Sequence, residues 1–531
     1  MDHHLILHTY QCAAPLLFLS NSFVLLTEIA IVKKMRREIV KSFRSLSVLL
    51  LMLTLCGVAR LQDTSITYFL SVTGSDDNDG LTEATAFRTV TQAWNMIPMG
   101  QELTQGVIID VMPGTYGVED LPNYWESRYG TEYARISIVG KEDGPVIFPS
   151  INMYDTRYVT FSFLEIVSVN GMPFHCEKCD HVSLLGNVIR GDEPGGGVRE
   201  TVKFNQSQYI VLAGNDISGA DDNAIDFVAV QYAAVVKNII HDAGDWCMYA
   251  KGGSAYIAVA ENEIYDCGTG GFTAGQGTGF QFMTPPWLQY EAYAVIFNNN
   301  IVHDTFGAGV GINGGYDIIV QNNTFYKVGE RSHVIEVVYG LRSCDGQIGD
   351  EGRERCVEYR DMGGWGNDLP EDGIQAVQIP NKNVYILNNI VYNPSPFQSA
   401  DQHFTIAPPY DGLLQADSNL GRVVADENLR IQGNVIWNGD STMFLGVEPN
   451  PDYPAGCQDD NPTCNATQLL ADNAINTVEP QFKDADKGDF TLLNREALST
   501  LFSDFKAPNL PAWDVPVPAP DPQWFAYPIG Q

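Results

Sequence analysis

Apolar and polar residues alternate over short stretches of this chain, and one phrase keeps closing them: a turn residue, Asn, any residue, an apolar residue. It reads Val182-Ser183-Leu184-Leu185-Gly186-Asn187-Val188-Ile189, then Ile210-Val211-Leu212-Ala213-Gly214-Asn215-Asp216-Ile217, and returns around Asn238, Asn262, Asn300, Asn323, Asn389 and Asn434. Such alternation marks half-buried strands. Successive gaps of 28, 23, 24, 38, 23, 66 and 45 residues fit one repeating coil plus inserted loops. One coil cannot bury its own inner face, so coils stack as parallel strands about 4.8 Å apart. An Asn at the same turn of every coil then bonds its neighbours above and below. The pattern predicts an all-β chain: a single-stranded right-handed parallel β-helix with loops inserted at 276–296 and 340–380.

Domain limits follow. Residues 1–63 read as a leader, 64–500 as the solenoid, and 501–531 as a Pro-rich tail lying extended outside it. Thr89 to Met96 predicts a short helix capping the open apolar end. The segment Tyr68-Phe69-Leu70-Ser71-Val72-Thr73-Gly74, with Phe87-Arg88-Thr89-Val90 and Val111-Met112-Pro113-Gly114-Thr115-Tyr116, resembles the opening of pectate-lyase-like β-helix proteins. Pro480-Gln481-Phe482 and Gly488-Asp489-Phe490-Thr491-Leu492 look like their closing strand. The Asp76–Asp79 cluster lacks the Glu that completes an EF-hand loop and reads as a turn.

Composition narrows the function. Net charge is −34, from 31 basic and 65 acidic residues, which excludes a nucleic-acid partner. Basic residues Lys33 to Arg44, the apolar run Leu46–Ala59 and the exit Gly57-Val58-Ala59 are the parts of a secretory signal. Leu53-Thr54-Leu55-Cys56 faintly resembles a lipoprotein box. The protein is therefore expected outside the cytoplasm, secreted or on the cell surface, as a monomer. Eight cysteines follow the leader, an even count that suggests disulfides. Cys344/Cys356 and Cys457/Cys464 are candidate local clips, and Cys176/Cys179 are half of a zinc pattern with no second half.

Counting from each ladder Asn places side chains on a common map. Asp222 is Asn215+7 and Asp245 is Asn238+7, so the two stack, with Asp221 and Asp226 flanking the first. Stacked carboxylates repel, and a bound Ca²⁺ relieves that. Asp242, Asp266 and Asp304 share offset +4, where a turn-capping Asp is expected. His241 and His303 share +3 with Tyr265 and Tyr326 and read as packing residues. Lys251 and Asn313 both fall at +13, as does Glu336, while Gln276 falls at +14. Together with Tyr249, His333 and Arg342 they form a polar strip suited to an extended polymer. His333 and Glu336 are second-tier members, because alternate strand positions do not both face outward. Trp287 and Tyr290, in an inserted loop, are candidates for stacking on sugar rings.

An acidic cluster, then Lys251 one coil on, then Cys267-Gly268-Thr269-Gly270-Gly271-Phe272-Thr273-Ala274-Gly275, resembles β-helical polysaccharide lyases of the chondroitinase B and alginate lyase group. The resemblance implies a Ca²⁺-assisted β-elimination on an anionic polysaccharide. Lys251 would be the base, and Asp222, Asp226 and Asp245 the calcium ligands. Thr273 and Ala274 stand where that group carries an Arg. Two other functions compete: a glycoside hydrolase using paired carboxylates from Asp221, Asp222 and Asp245, and a non-catalytic adhesion solenoid.

Overall fold

A computed structural model describes residues 65–510, apart from 142, 169–170, 192–196, 285–289, most of 344–376, 411–422 and 449–454. The leader and the proline-rich stretch 511–531 lie outside the described residues, as do Trp287 and Cys344.

Three long sheets of parallel strands make up a β-helix. Each central coil contributes one strand to each sheet in turn. Sheet 1 has twelve strands, from Ile66–Leu70 to Arg430–Gln432; sheet 2 has twelve, from Gly114–Thr115 to Ala474–Ile475; sheet 3 has ten, from Trp125–Glu126 to Phe404–Ile406. The pairing is in register from coil to coil, as in Val182↔Ile210, Ile210↔Ala233 and Ala233↔Ile257. The alternation in the sequence is thus the inside and outside of one wall.

The turn between sheets 1 and 2 carries the Asn ladder. Asn238 donates through Nδ2 to Leu212 O and to Asn262 Oδ1, while its own Oδ1 accepts from Asn215 N and Asn215 Nδ2. The same set recurs from Asn187 through Asn434, and Asn473 extends it by one coil beyond the eight predicted positions. The residue before each ladder asparagine from Asn187 to Asn434 has positive φ, among them Gly186 (64°), Gly214 (65°), Lys237 (56°), Glu261 (58°) and Asn322 (57°). Non-glycine residues in that region cost about 1–2 kcal/mol each, and the buried side-chain bonds offset the cost.

Inside, Phe161, Phe174, Phe204 and Phe227 form a column of rings 5.4–5.8 Å apart. The helix Val90–Asn95, capped by Thr89 Oγ1 accepting from Gln92 N, closes the end by burying Val90, Ala93 and Trp94. Asp76 accepts from the Arg88 and Thr89 amides, and Asp79 from Leu81 N and Thr85 Oγ1, so the acidic cluster is a turn.

The carboxyl-terminal end departs from expectation. Phe482–Asp484 and Asp489–Leu492 pair antiparallel with each other, not with the last coil. Phe490 instead packs against Tyr326 and His303 outside sheet 2. A short turn, Ala485–Lys487 with Gly488 at φ 77°, reverses the chain before it can add a strand to a coil. Phe505, Ala507 and Leu510 run along sheet 1 against Ile319, Tyr385 and Leu387.

Among the described residues, disulfides join Cys176–Cys179, Cys247–Cys267 and Cys457–Cys464. The first removes the zinc pattern; the second ties adjacent coils. Among the described residues no helix is long and apolar enough to cross a membrane.

Candidate functional site

On sheet 3 the inward positions are apolar in every central coil, for example Val202 and Phe204, Ile225 and Phe227, Met248 and Ala250. Register then assigns two outward columns. The first runs Asn152, His175, Lys203, Asp226, Tyr249, Thr273, Gly311, Glu336, Thr405. In the second, Tyr154, Glu177 and Asn205 lead to Val228 and Lys251, and Gly275 pairs with Asn313 higher up.

The centre of this face is a knot of charge. Lys203 Nζ lies 2.9 Å from Glu200 Oε1 and 2.8 Å from Asp226 Oδ2. Asp226 is buried, and its Oδ1 has no hydrogen-bond partner among the described residues. Burial raises its carboxyl above the ordinary range against the pull of Lys203 and Lys251. Burial opposes the charge of Lys203 as well, yet Asp226 and Glu200 outweigh it and hold the ammonium above the usual lysine range. Tyr249, one coil on, is 5% exposed. Burial first, then the fields of Asp226, Glu200, Asp245 and Asp222, lift its phenol well above the ordinary tyrosine value. It stays protonated.

Lys251 stands differently. Its Nζ sits 4.1 Å from the Tyr249 ring centroid and donates to Gln276 Oε1 at 3.0 Å. Among the described residues it forms no ion pair. Beside it stands a wall from the inserted loops. Gly277–Gly279 pairs with Gly340–Ser343, which pairs with Val377–Ile379, and Leu341 N donates to Gln276 O. Glu291 braces this wall through Gly252 N (3.0 Å), Thr278 Oγ1 (2.7 Å) and Arg342 Nη2 (2.5 Å).

Several expected site residues fall elsewhere. Arg342 is not a substrate contact: both it and Glu291 are fully buried, and the pair is a strut. Tyr290 packs at a tilt on Tyr316 of sheet 1, with ring centroids 4.7 Å apart, and not on the face of sheet 3. Asp222 and Asp245 do occupy adjacent coils, with Asp245 N bonded to Asp222 O. The Asp222 carboxylate pairs with Arg199 at 3.0 Å, and the Asp221 carboxylate accepts from Gly197 N. Among the described residues, no three of Asp221, Asp222, Asp226 and Asp245 bring carboxylate oxygens within 4.8 Å of one another. The donor set does not fit a preformed calcium site, and the countercharge Asp226 needs already comes from Lys203.

Glu336 pairs with Gly311 and so belongs to the first column, two positions from the register predicted for it. Extra residues in the turn Gly329–Val334 shift the count. His333 lies in that turn, ahead of the strand Ile335–Val338, and so it reaches Glu336 Oε2 at 3.3 Å despite the spacing. Asn313 Nδ2 donates to Glu336 Oε1 at 3.1 Å. These three form a second polar knot, about 10–14 Å up the face from Lys251 at ~4.8 Å per coil.

Glu200, Lys203, Glu291 and Trp246 escaped the sequence map. Trp246 lies flat over the column, and a Cβ on Gly270 or Gly311 would meet its ring at 2.3 and 2.7 Å. That indole fills the surface near Thr273 where the lyases' arginine was sought. Outward-facing glycines at 270 and 311 were the available signal.

Asp242, Asp266 and Asp304 do not cap turns: they lie within the sheet 2 strands Ile239–Ala243, Glu263–Cys267 and Ile301–Thr305, each at a positive φ of 54°, 53° and 50° that bends its strand. His241 and His303 sandwich Tyr265 at 4.7 and 4.8 Å on sheet 2. Both are packing residues.

Residues 148–284 match the family model described as right handed beta helix region. No curated protein matches the sequence. Among solved structures, a complex of XylC with xylose is 9% identical, covering 71% of this chain and 76% of its own, with a TM-score of 0.42. A rhamnogalacturonan lyase is 12% identical, covering 64% and 84%, with a TM-score of 0.35. The lacto-N-biosidase of Eubacterium ramulus is 12% identical, covering 64% and 67%, with a TM-score of 0.35.

Proposed function

We propose that this is a carbohydrate-active protein that lays an acidic polysaccharide along the outer face of sheet 3 and cleaves it by β-elimination at Lys251. The observation that carries this is a contrast between two lysines on one face. Lys203 is ion-paired on both sides, whereas Lys251, though it lies in the field of Asp226, forms no ion pair among the described residues and bonds the neutral Gln276 amide beside the Tyr249 ring. An amine held in place without a carboxylate partner is free to meet a substrate proton.

In the reaction Lys251 takes the proton α to a uronate carboxylate. The released electron pair forms the double bond, the bond to the 4-linked oxygen breaks, and Lys251 returns the proton to that oxygen. Tyr249 is a positioning residue: its ring lies 4.1 Å from Nζ and steadies the ammonium that forms once Lys251 has taken the proton. Bound calcium would neutralise the uronate carboxylate; since the aspartates do not converge, no step is assigned to it. The disulfides among the described residues support a location outside the cytoplasm, secreted or at the cell surface.

The test is release of unsaturated product, read by near-ultraviolet absorbance, from a panel of uronate polymers. Lys251→Ala is expected to lower it by about a thousandfold, Tyr249→Phe to keep most of it, and a chelator to leave it unchanged. Full activity in Lys251→Ala sinks the assignment. A second reading rests on Glu200 and Asp226, whose oxygens both lie within 3 Å of Lys203 Nζ. Reducing ends without a double bond, lost in Asp226→Asn and kept in Lys251→Ala, would move the chemistry to that pair as a hydrolase.

A further inference from the structure

The outer face of sheet 3 does not end at Lys203. Toward the capped end it opens into a cleft of about 340 Å³, lined chiefly by Tyr124, Glu126, Asn152, Tyr154, His175 and Glu177. Register ties the cleft to the site. Asn152 and His175 continue the column of Lys203 and Asp226, while Glu126, Tyr154 and Glu177 continue that of Asn205 and Lys251. Four strand steps separate Tyr154 from Lys251, or about 19 Å at ~4.8 Å each.

The chemistry of the cleft differs from that around Lys251. His175 is committed on both sides: Nδ1 to Asn152 Oδ1 at 2.8 Å, Nε2 to Asn205 Nδ2 at 3.2 Å. Burial holds its imidazole below the ordinary value, so it stays neutral. Glu126 forms no ion pair among the described residues. Glu177 has the Lys178 ammonium 3.8 Å away, and that ammonium also bonds the Tyr154 hydroxyl at 3.0 Å. The walls therefore carry net negative charge, and a uronate entering them meets repulsion. An uncharged sugar meets carboxylate and amide acceptors for its hydroxyls and, in Tyr124, a ring that is 55% exposed.

We infer that this cleft is a second sugar subsite, selecting an uncharged pyranose about 19 Å along the polymer from the Lys251 cleavage point. The inference rests on the proposal that sheet 3 is a polysaccharide groove, and it deepens that proposal. The substrate is then a heteropolymer that mixes neutral sugars with uronates, not a run of uronates alone.

Calorimetric titration of the full chain tests this without turnover, using xylo-, cello- and manno-hexaose as neutral probes and hexagalacturonate as the acidic one. At least one neutral hexaose is expected to bind, and Tyr124→Ala to weaken it by about tenfold while leaving hexagalacturonate unaffected. The double substitution Glu126→Gln and Glu177→Gln is expected to strengthen hexagalacturonate binding. Failure of every neutral hexaose to bind overturns the inference, and so does neutral binding that ignores Tyr124→Ala. Lys251→Ala separates the two proposals: neutral binding survives it whether or not any polymer yields unsaturated product. If product never forms but Tyr124-dependent binding persists, the lyase falls and the subsite stands.

Discussion

The Asn turn and the outer face of sheet 3 are built on the same coils, yet they use repetition in opposite ways. At the turn one residue type makes the same bonds coil after coil, from Asn187 to Asn215 at 3.0 Å up to Asn434 to Asn473 at 2.8 Å. On sheet 3, backbone positions in equally strict register carry His175, Lys203, Asp226, Tyr249, Thr273, Gly311 and Glu336 in succession. Where the backbone is constant and the side chain constant, the side chain serves the stack. Where the backbone is constant and the side chain changes at every step, something other than the stack requires each one.

The comparison breaks most sharply at the ladder. Asn262→Ala removes two Nδ2 donations, to Val235 O and Asn300 Oδ1, and takes the acceptor from the buried Asn238 amide and from one of the two Asn238 Nδ2 donations. Several unsatisfied buried groups together are expected to cost on the order of 4 kcal/mol, measured by denaturant unfolding. A loss under about 1 kcal/mol would mean that the ladder is ornament.

On the variable face, Lys203→Met leaves Asp226 buried without its cation. The expected cost is roughly 2–3 kcal/mol at neutral pH. It should shrink in acid, where Asp226 takes up a proton instead of standing ionised and unpaired. An equal deficit at pH 4 and pH 7 would contradict the ion-pair role.

Sheet 2 supplies a smaller, pH-linked effect. Burial alone would lower the His241 and His303 imidazoles, but hydrogen bonds to Asp216 and Asp242, and to Asp304 and Glu263, outweigh it and raise both above the ordinary value. A folded-state pKa above the unfolded one gives stability that is complete below about pH 6.5. That stability is lost as pH rises through the folded value. The double substitution His241→Gln and His303→Gln is expected to flatten this slope, at a cost of roughly 1 kcal/mol in acid. Unfolding midpoints across pH 5–9 check it, and an unchanged slope refutes it.

The ladder was legible in the sequence because each asparagine follows directly on its own strand, so nothing between them alters the count. The site was less so. Lys203 is Asn187+16, yet it pairs with Asp226 at Asn215+11, because the stretch between Arg190 and Glu200 is longer in that coil. Glu336 slipped by two for the same reason. Counting from the ladder was sound for Asp222, Asp245 and Lys251, whose coils share turn lengths, and failed wherever the turn between sheets 2 and 3 lengthened. Burial was not legible either: Arg342 looked like a ligand for a polyanion until Glu291, from another loop, proved to hold it.

The smallest effect separates the two accounts of the acidic cluster. If Asp222 and Asp245 ligated a metal at the site, Asp222→Asn would remove activity and make the rest depend on added calcium. In the structure Asp222 pairs with Arg199, whose side chain is 76% exposed, and such surface pairs contribute about 0–1 kcal/mol. Asp222→Asn is therefore expected to leave both the unfolding midpoint and the rate of product formation within error. The aspartate one residue before strand Asn223–Val228 would then belong with the scaffold, and Asp226, three residues into that strand, with the site. A calcium-dependent loss of rate in Asp222→Asn would reverse that division, and would show that the four aspartates converge only when an ion draws them together.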